Sequence, residues 1–187
     1  GRGAGAQLIP LLERTGGVLV HTPLASGCIP YTHPRNMTVG GSKGSLPGNY
    51  AMENADLLIA VGTRAVCQSD CSRTGYPQVE RVINLNADPG DALHYNRSLA
   101  LVGDIPASLE RLIQSLGAPA AAREEWLVNC AAKKAAWQEY KAERAKNPVL
   151  FDPYWGEEVL TQPAAILTAS AWSRAAGAIS IFDAGDV

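Results

Sequence analysis

The run Leu57-Leu58-Ile59-Ala60-Val61, closed by Gly62, constrains this chain more than any other feature. Five apolar residues without alternation do not suit a strand with one face in water, and they are too few for an ordinary helix. They read as a strand buried on both faces, which belongs to a parallel sheet covered by helices. Arg81-Val82-Ile83-Asn84-Leu85-Asn86 and Leu99-Ala100-Leu101-Val102 read as two further strands, and Gly17-Val18-Leu19-Val20-His21-Thr22 as an earlier one, stopped by Pro23. Helices are expected between them. Residues 6–14 carry Leu8, Ile9, Leu11 and Leu12 at helical spacing, although Pro10 suits a helix only near its first turn. A short helix is expected over residues 50–55. Another is expected over residues 106–116, capped by Asp104, with Leu109, Leu112, Ile113 and Leu116 on one face. Residues 25–48 are rich in Gly, Pro, Ser and Thr and read as loop, and residues 87–90 as a turn. Strands alternating with helices define the α/β class.

After Gly117 the composition shifts. Residues 120–146 contain no Gly or Pro and should form one long helix, with Trp126, Cys130, Trp137 and Tyr140 as a packing stripe. Asn147-Pro148 ends it. Residues 151–156 read as a linker-like aromatic turn, residues 163–176 as a helix and residues 178–182 as a strand. The expected organisation is a first domain over 1–117 that lacks its first strand, a helical linker over 118–160, and the opening helix and strand of a second, truncated α/β domain over 161–187. Both ends read as cut, so the chain is expected to be an internal piece of a longer one.

The net charge of −2 gives no electrostatic footprint for nucleic acid or an anionic membrane. No apolar run is long enough to span a bilayer, which leads us to expect a soluble, cytoplasmic protein. Cys67 and Cys71 stand at a C-x3-C spacing without a second pair, and Cys28 and Cys130 are scattered; reduced thiols are expected. His21, His33 and His94 show no metal-like spacing.

In a parallel sheet, ligands sit beyond the carboxyl ends of the strands. Those ends carry Thr22-Pro23-Leu24, Gly62-Thr63-Arg64, Asn86-Ala87-Asp88 and Gly103-Asp104. Gly1-Arg2-Gly3-Ala4-Gly5 is a glycine loop at a helix start, outside the G-x-G-x-x-G pattern. Gly40-Gly41-Ser42-Lys43-Gly44 lacks Walker spacing and is read equally as an ordinary loop or a ligand contact. Arg64 is read equally as a solvated side chain or a partner for a nucleotide.

Taken in order, Gly1-Arg2-Gly3-Ala4, Thr22-Pro23-Leu24, Gly27-Cys28-Ile29-Pro30, the string from Asn54 to Arg64, Asn86-Ala87-Asp88-Pro89 and Gly103-Asp104 resemble the middle domain of thiamin-diphosphate enzymes. Acetolactate synthases, benzoylformate decarboxylase, glyoxylate carboligase and cyclic diketone hydrolases are members. The resemblance covers residues 1–116 and resumes over 161–187. It implies a Rossmann-like, parallel-sheet, nucleotide-binding domain and a whole enzyme that uses thiamin diphosphate and magnesium. Such an enzyme makes or breaks a carbon–carbon bond beside a carbonyl, as lyase, transferase or hydrolase, on a small keto substrate, and is expected as a homodimer or homotetramer. By the resemblance, Gly1 and Gly3 approach the FAD pyrophosphate, Thr22 and Leu24 lie near the flavin, and Gly40, Gly41, Gly62, Thr63 and Arg64 line the groove. Asn86, Ala87, Asp104 and Ile105 hold the adenosine half, and Gly185, Asp186 and Val187 belong to the thiamin diphosphate site. No catalytic or metal-ligating residue is expected in this chain. It departs from many relatives by Asn86 in place of an acid, and by Gly41-Ser42-Lys43-Gly44 where FAD-binding synthases often carry Met-His. A sirtuin-like nucleotide-binding module, and a middle domain with an empty nucleotide site, remain as alternatives.

Overall fold

The computed structural model describes residues 4–64, 67–72, 74–94, 98–118 and 123–181. The chain divides into two compact units, Gly1–Trp137 and Gln138–Val187. The first is α/β, with two parallel sheets and helices between the strands. Its elements are α1 (Gly5–Thr15), β1 (Leu19–His21), β2 (Asn36–Val39), α2 (Leu46–Asn54), β3 (Leu57–Val61), α3 (Cys67–Asp70), β4 (Arg81–Asn86), α4 (Pro89–Ala92), β5 (Ser98–Val102) and α5 (Ile105–Ser115). The next helix, α6 (Glu124–Lys146), begins in this unit.

β3, β4 and β5 form one parallel sheet in that order, with Ile59 beside Ile83 and Ile83 beside Leu99. β1 and β2 form a second parallel pair. Among the described residues the apolar run Leu57–Val61 stands at one side of this sheet, with Leu57 37% exposed, and β4 lies in the middle. Under the sheet, Leu8, Leu11 and Leu12 of α1 and Leu109 of α5 close on Leu85 and Ile29 to form the main core.

Several elements differ from the sequence expectation. α1 runs through Pro10 rather than starting near it. Pro10 and Ala6 are exposed, so the ring points to water and the Ala6 carbonyl that lost its donor stays solvated. β2 lies inside the stretch expected to be loop. Asn36 and Thr38 are buried to 1% and 6% exposure, but by hydrogen bonding, so hydrophobic periodicity does not register them. α2 begins four residues before the expected helix, at Leu46, where Ser45 accepts from the Gly48 N–H. Asp88 caps a single turn, α4, where a plain turn was expected. Asp104 caps α5 as expected, accepting from Ala107 N at 3.0 Å.

Of the stripe on α6, Cys130 is buried against Met37 and Ala51, and Trp126 stacks on Tyr50 with ring centroids 6.3 Å apart. Tyr140 falls outside it, half exposed, with the Arg144 guanidinium over its ring at 5.4 Å. In the second unit β6 (Val149–Asp152) and β7 (Glu157–Leu160) form an antiparallel hairpin. The aromatic turn is its tip, held by Asp152 Oδ1, which accepts from Tyr154 N and Trp155 N. α7 (Gln162–Ala175) follows, capped by Thr161. The strand expected at 178–182 is not formed over residues 178–181. A strand needs a ladder partner, and Ile179 and Ile181 are 90% and 92% exposed. Among the described residues no helix is long and apolar enough to cross a membrane.

Candidate functional site

A groove of about 170 Å³ runs between β1 and β3, lined along the strands by Leu19, Val20 and Leu58 to Val61, and reaches Thr22 and Thr63 past their carboxyl ends, against the first turn of α1. β1 delivers His21 and Thr22 to it, and the loop after β2 delivers Gly40. β3 delivers Gly62 and Thr63. Gly62 takes a left-handed φ of 60° while its N–H donates to Leu85 O at 2.8 Å, which turns the chain across the end of the sheet. Only glycine takes that conformation without steric cost. A side chain on Gly40 would run into Met52 and Val20, so the backbone there lies directly against the strand and helix beneath it.

Ser45, Asp88, Asp104 and Thr161 cap α2, α4, α5 and α7. Among the described residues no side chain caps α1, and its first turn holds no acid. Ala4 and Gly5 line the groove, so the positive end of this helix dipole faces it. The positive end of a helix suits an anion, phosphate above all.

Of the residues singled out in the sequence, Thr22, Gly40, Gly62 and Thr63 come together here. Leu24 is fully exposed between Thr22 and Ala25, and Gly41 and Arg64 stand outside the lining, Arg64 exposed. Asn86 is 7% exposed and its amide is committed to the protein. Its Nδ2 donates to Thr63 O at 3.0 Å and its Oδ1 accepts from Asp88 N at 3.3 Å, tying two strand ends together. Ala87 is exposed, Asp104 is used as a cap, and Ile105 packs on the core. Gly1, Gly3, Gly185, Asp186 and Val187 lie outside the described residues.

The groove also takes in Cys28, from the Gly27-Cys28-Ile29-Pro30 segment, and Ser69 and Tyr76, which carry no motif. Next to Ser69, Asp70 is 1% exposed, and neither carboxylate oxygen has a hydrogen-bond partner among the described residues. His94 Nε2 lies 3.9 Å from Asp70 Oδ2. Burial, then the charges of Asp70 and Cys71, push the Tyr76 phenol up to about 12. A tyrosine with a raised folded-state value stabilises fully below its unfolded value near 10, and that contribution is lost as pH climbs toward 12. We therefore expect part of the alkaline loss of melting temperature between those values to vanish in Tyr76→Phe. Parallel alkaline profiles of the two proteins would show that the phenol is not so held.

Cys71 is half-buried, and Cys130 is buried with its thiol pushed up to about 11 by that burial. Among the described residues no three His, Cys, Asp or Glu side chains gather as a metal site. A wider depression of about 340 Å³ lies between α2 and α6. It is shallow, away from the strand ends, and its Lys133 is placed over the Tyr50 ring at 5.1 Å.

The family described as thiamine pyrophosphate enzyme, central domain, matches residues 1–112. An acetolactate synthase of Mycobacterium bovis is 32% identical over 111 residues, 59% of this chain and 18% of the relative. A probable acetolactate synthase large subunit of Methanococcus aeolicus is 27% identical over 61% of this chain and 19% of its own. A 3D-(3,5/4)-trihydroxycyclohexane-1,2-dione hydrolase of Lacticaseibacillus casei is 29% identical over 72% of this chain and 20% of its own. The matches thus span about a fifth of these relatives.

Proposed function

This chain belongs to the thiamine pyrophosphate enzyme family through its central domain, and on that premise we propose that it holds FAD, in a structural role, within a larger enzyme dependent on thiamin diphosphate and magnesium. That enzyme makes or breaks a carbon–carbon bond next to a carbonyl, on a 2-keto acid or a 1,2-diketone. Relatives whose names are acetolactate synthase and cyclohexane-1,2-dione hydrolase support this range. The observation that carries the nucleotide reading is the acid-free first turn of α1 facing a groove lined by Gly40, Gly62 and Thr63.

The residues fit such a group in kind. The positive end of α1 suits a diphosphate, while the Gly62 N–H is already given to Leu85 O, so the Gly62-Thr63 turn shapes the groove wall. Leu24, fully exposed, offers apolar contact for a ring system, and Arg64 a cation that can pair or stack. A groove of about 170 Å³ accommodates a diphosphate-and-sugar segment, with the rest of a dinucleotide lying outside it. The cofactor thiamin diphosphate supplies carbanion chemistry wherever it is bound. The chain's own residues bind and orient, and on this reading this span by itself turns over no substrate.

A second reading has its own support. The groove is small beside ordinary cofactor sites, and the Asn86 amide is already engaged, which suits a central domain that holds no nucleotide. Arg64→Ala in the full natural chain separates the two. We expect flavin retained through gel filtration to fall about tenfold, with little change in melting temperature. Unchanged retention, or a natural protein without flavin, favours the second reading.

A further inference from the structure

We propose that Thr38 is the positioning residue of the nucleotide groove, holding the Gly40-Gly41 turn in place through a strained bulge in β2; this deepens the nucleotide reading and rests on it. β1 and β2 pair Leu19 with Asn36 and His21 with Val39, so three residues of β2 span two of β1. An extra residue of this kind reverses the facing of everything after it and re-aims the strand. Thr38 takes a φ of 69°. A β-branched side chain is poorly tolerated there, and such outliers persist where the surroundings over-determine them.

The surroundings do over-determine it. Thr38 N donates to Asn36 Oδ1 at 2.8 Å, and Thr38 Oγ1 lies 2.5 Å from Ser45 Oγ. The Asn36 amide donates to Ile29 O and Pro30 O, both at 3.3 Å, beside the Cys28 that lines the groove. Ser45 N donates to Val39 O at 2.8 Å, and Ser45 Oγ accepts from Gly48 N at 3.1 Å. The turn that leaves the bulge is tied in its own right, by Gly41 N to Asn49 Oδ1 at 2.9 Å and Gly44 N to Gly41 O at 2.9 Å. Asn36, Thr38 and Ser45 are 1%, 6% and 9% exposed. A buried polar triad around a strained threonine is an inefficient way to stabilise a strand, which apolar residues would do without strain. It is an effective way to fix one loop geometry, and the loop it fixes brings Gly40 to the groove.

The test uses Thr38→Gly and Thr38→Ser in the full natural chain, with three readouts: FAD binding, melting temperature and hydrogen exchange at the Gly41 and Gly44 amides. Glycine relieves the φ penalty but removes the hydroxyl; serine keeps the hydroxyl. We expect Thr38→Gly to keep or raise the melting temperature, yet to weaken FAD binding and to speed both amides, each by about tenfold, while Thr38→Ser stays within about twofold of the natural protein. A Thr38→Gly protein with natural FAD affinity and natural amide exchange overturns the proposal. So does one whose affinity falls only in step with its melting temperature. If the natural protein binds no FAD, the nucleotide reading fails on its own. The exchange arm then decides the positioning role, which unchanged Gly41 and Gly44 amides refute and faster ones uphold.

Discussion

Replacing Leu85 with Ala is expected to cost about 2–5 kcal/mol of stability, the range for emptying a fully buried leucine site. Leu85 is 0% exposed, in the central strand, paired beside Val61 and Leu101 and packed into the cluster that α1 and α5 close. The side chain has little room to be replaced by relaxation, because strands flank it and helices cover it. Leu85→Met conserves volume and should cost under about 1.5 kcal/mol. Urea titration of the two variants checks this through the midpoint, with the slope unchanged. A loss below about 1 kcal/mol for the alanine variant would mean that the site is not the core position described.

Gly48→Ala should also destabilise, although helix propensity alone favours alanine by about 1 kcal/mol. Gly48 sits in the first turn of α2, and a methyl group there would meet the Val39 carbonyl well inside van der Waals contact. The obstacle is backbone, held in place by Ser45 N donating to the same carbonyl at 2.8 Å. Helix and strand must therefore move apart, at a cost of about 1–3 kcal/mol for overpacking. Val39 precedes Gly40, so the displacement reaches the groove, and FAD retention should fall with stability. A Gly48→Ala protein more stable than the natural one would show that propensity wins and that the α2–β2 contact is looser than described.

The sequence was most legible where burial is apolar and local signals agree. β3, β4 and β5 appear as runs of aliphatic residues, and α5 appears through an apolar face and a capping aspartate. β2 was illegible for a physical reason. Of its three buried residues Met37 alone is apolar; Asn36 and Thr38 are buried through hydrogen bonds with Ile29, Pro30 and Ser45 that exist in the folded chain. The hairpin of β6 and β7 was hidden because its tip, Pro153 to Gly156, carries stronger turn signals than its four-residue strands carry strand signals. Residues 178–181 show the converse: a favourable strand composition without a ladder partner does not make a strand.

The groove was half legible. The rule that ligands meet strand ends pointed to Thr22, Gly62 and Thr63. It could not separate Asn86, whose amide is engaged by Thr63 and Asp88, from a residue open to a ligand. Nor could it reach Ser69, Asp70 or Tyr76, since nothing in their spacing marks them. Tyr76 meets Asp70 only through the fold. The left-handed Thr38 was equally hidden, because threonine is the residue least suggestive of that backbone.

As the proposed nucleotide-holding central domain of a thiamin diphosphate enzyme, this chain should carry a bound adenine nucleotide. The most direct measurement is the adenine nucleotide released by acid from the full natural chain, purified without added cofactor and identified chromatographically. The account predicts FAD close to one equivalent per chain, reduced by the Arg64→Ala and Thr38→Gly substitutions. A natural protein that releases no adenine nucleotide, and takes up none when FAD is supplied in excess, would contradict it.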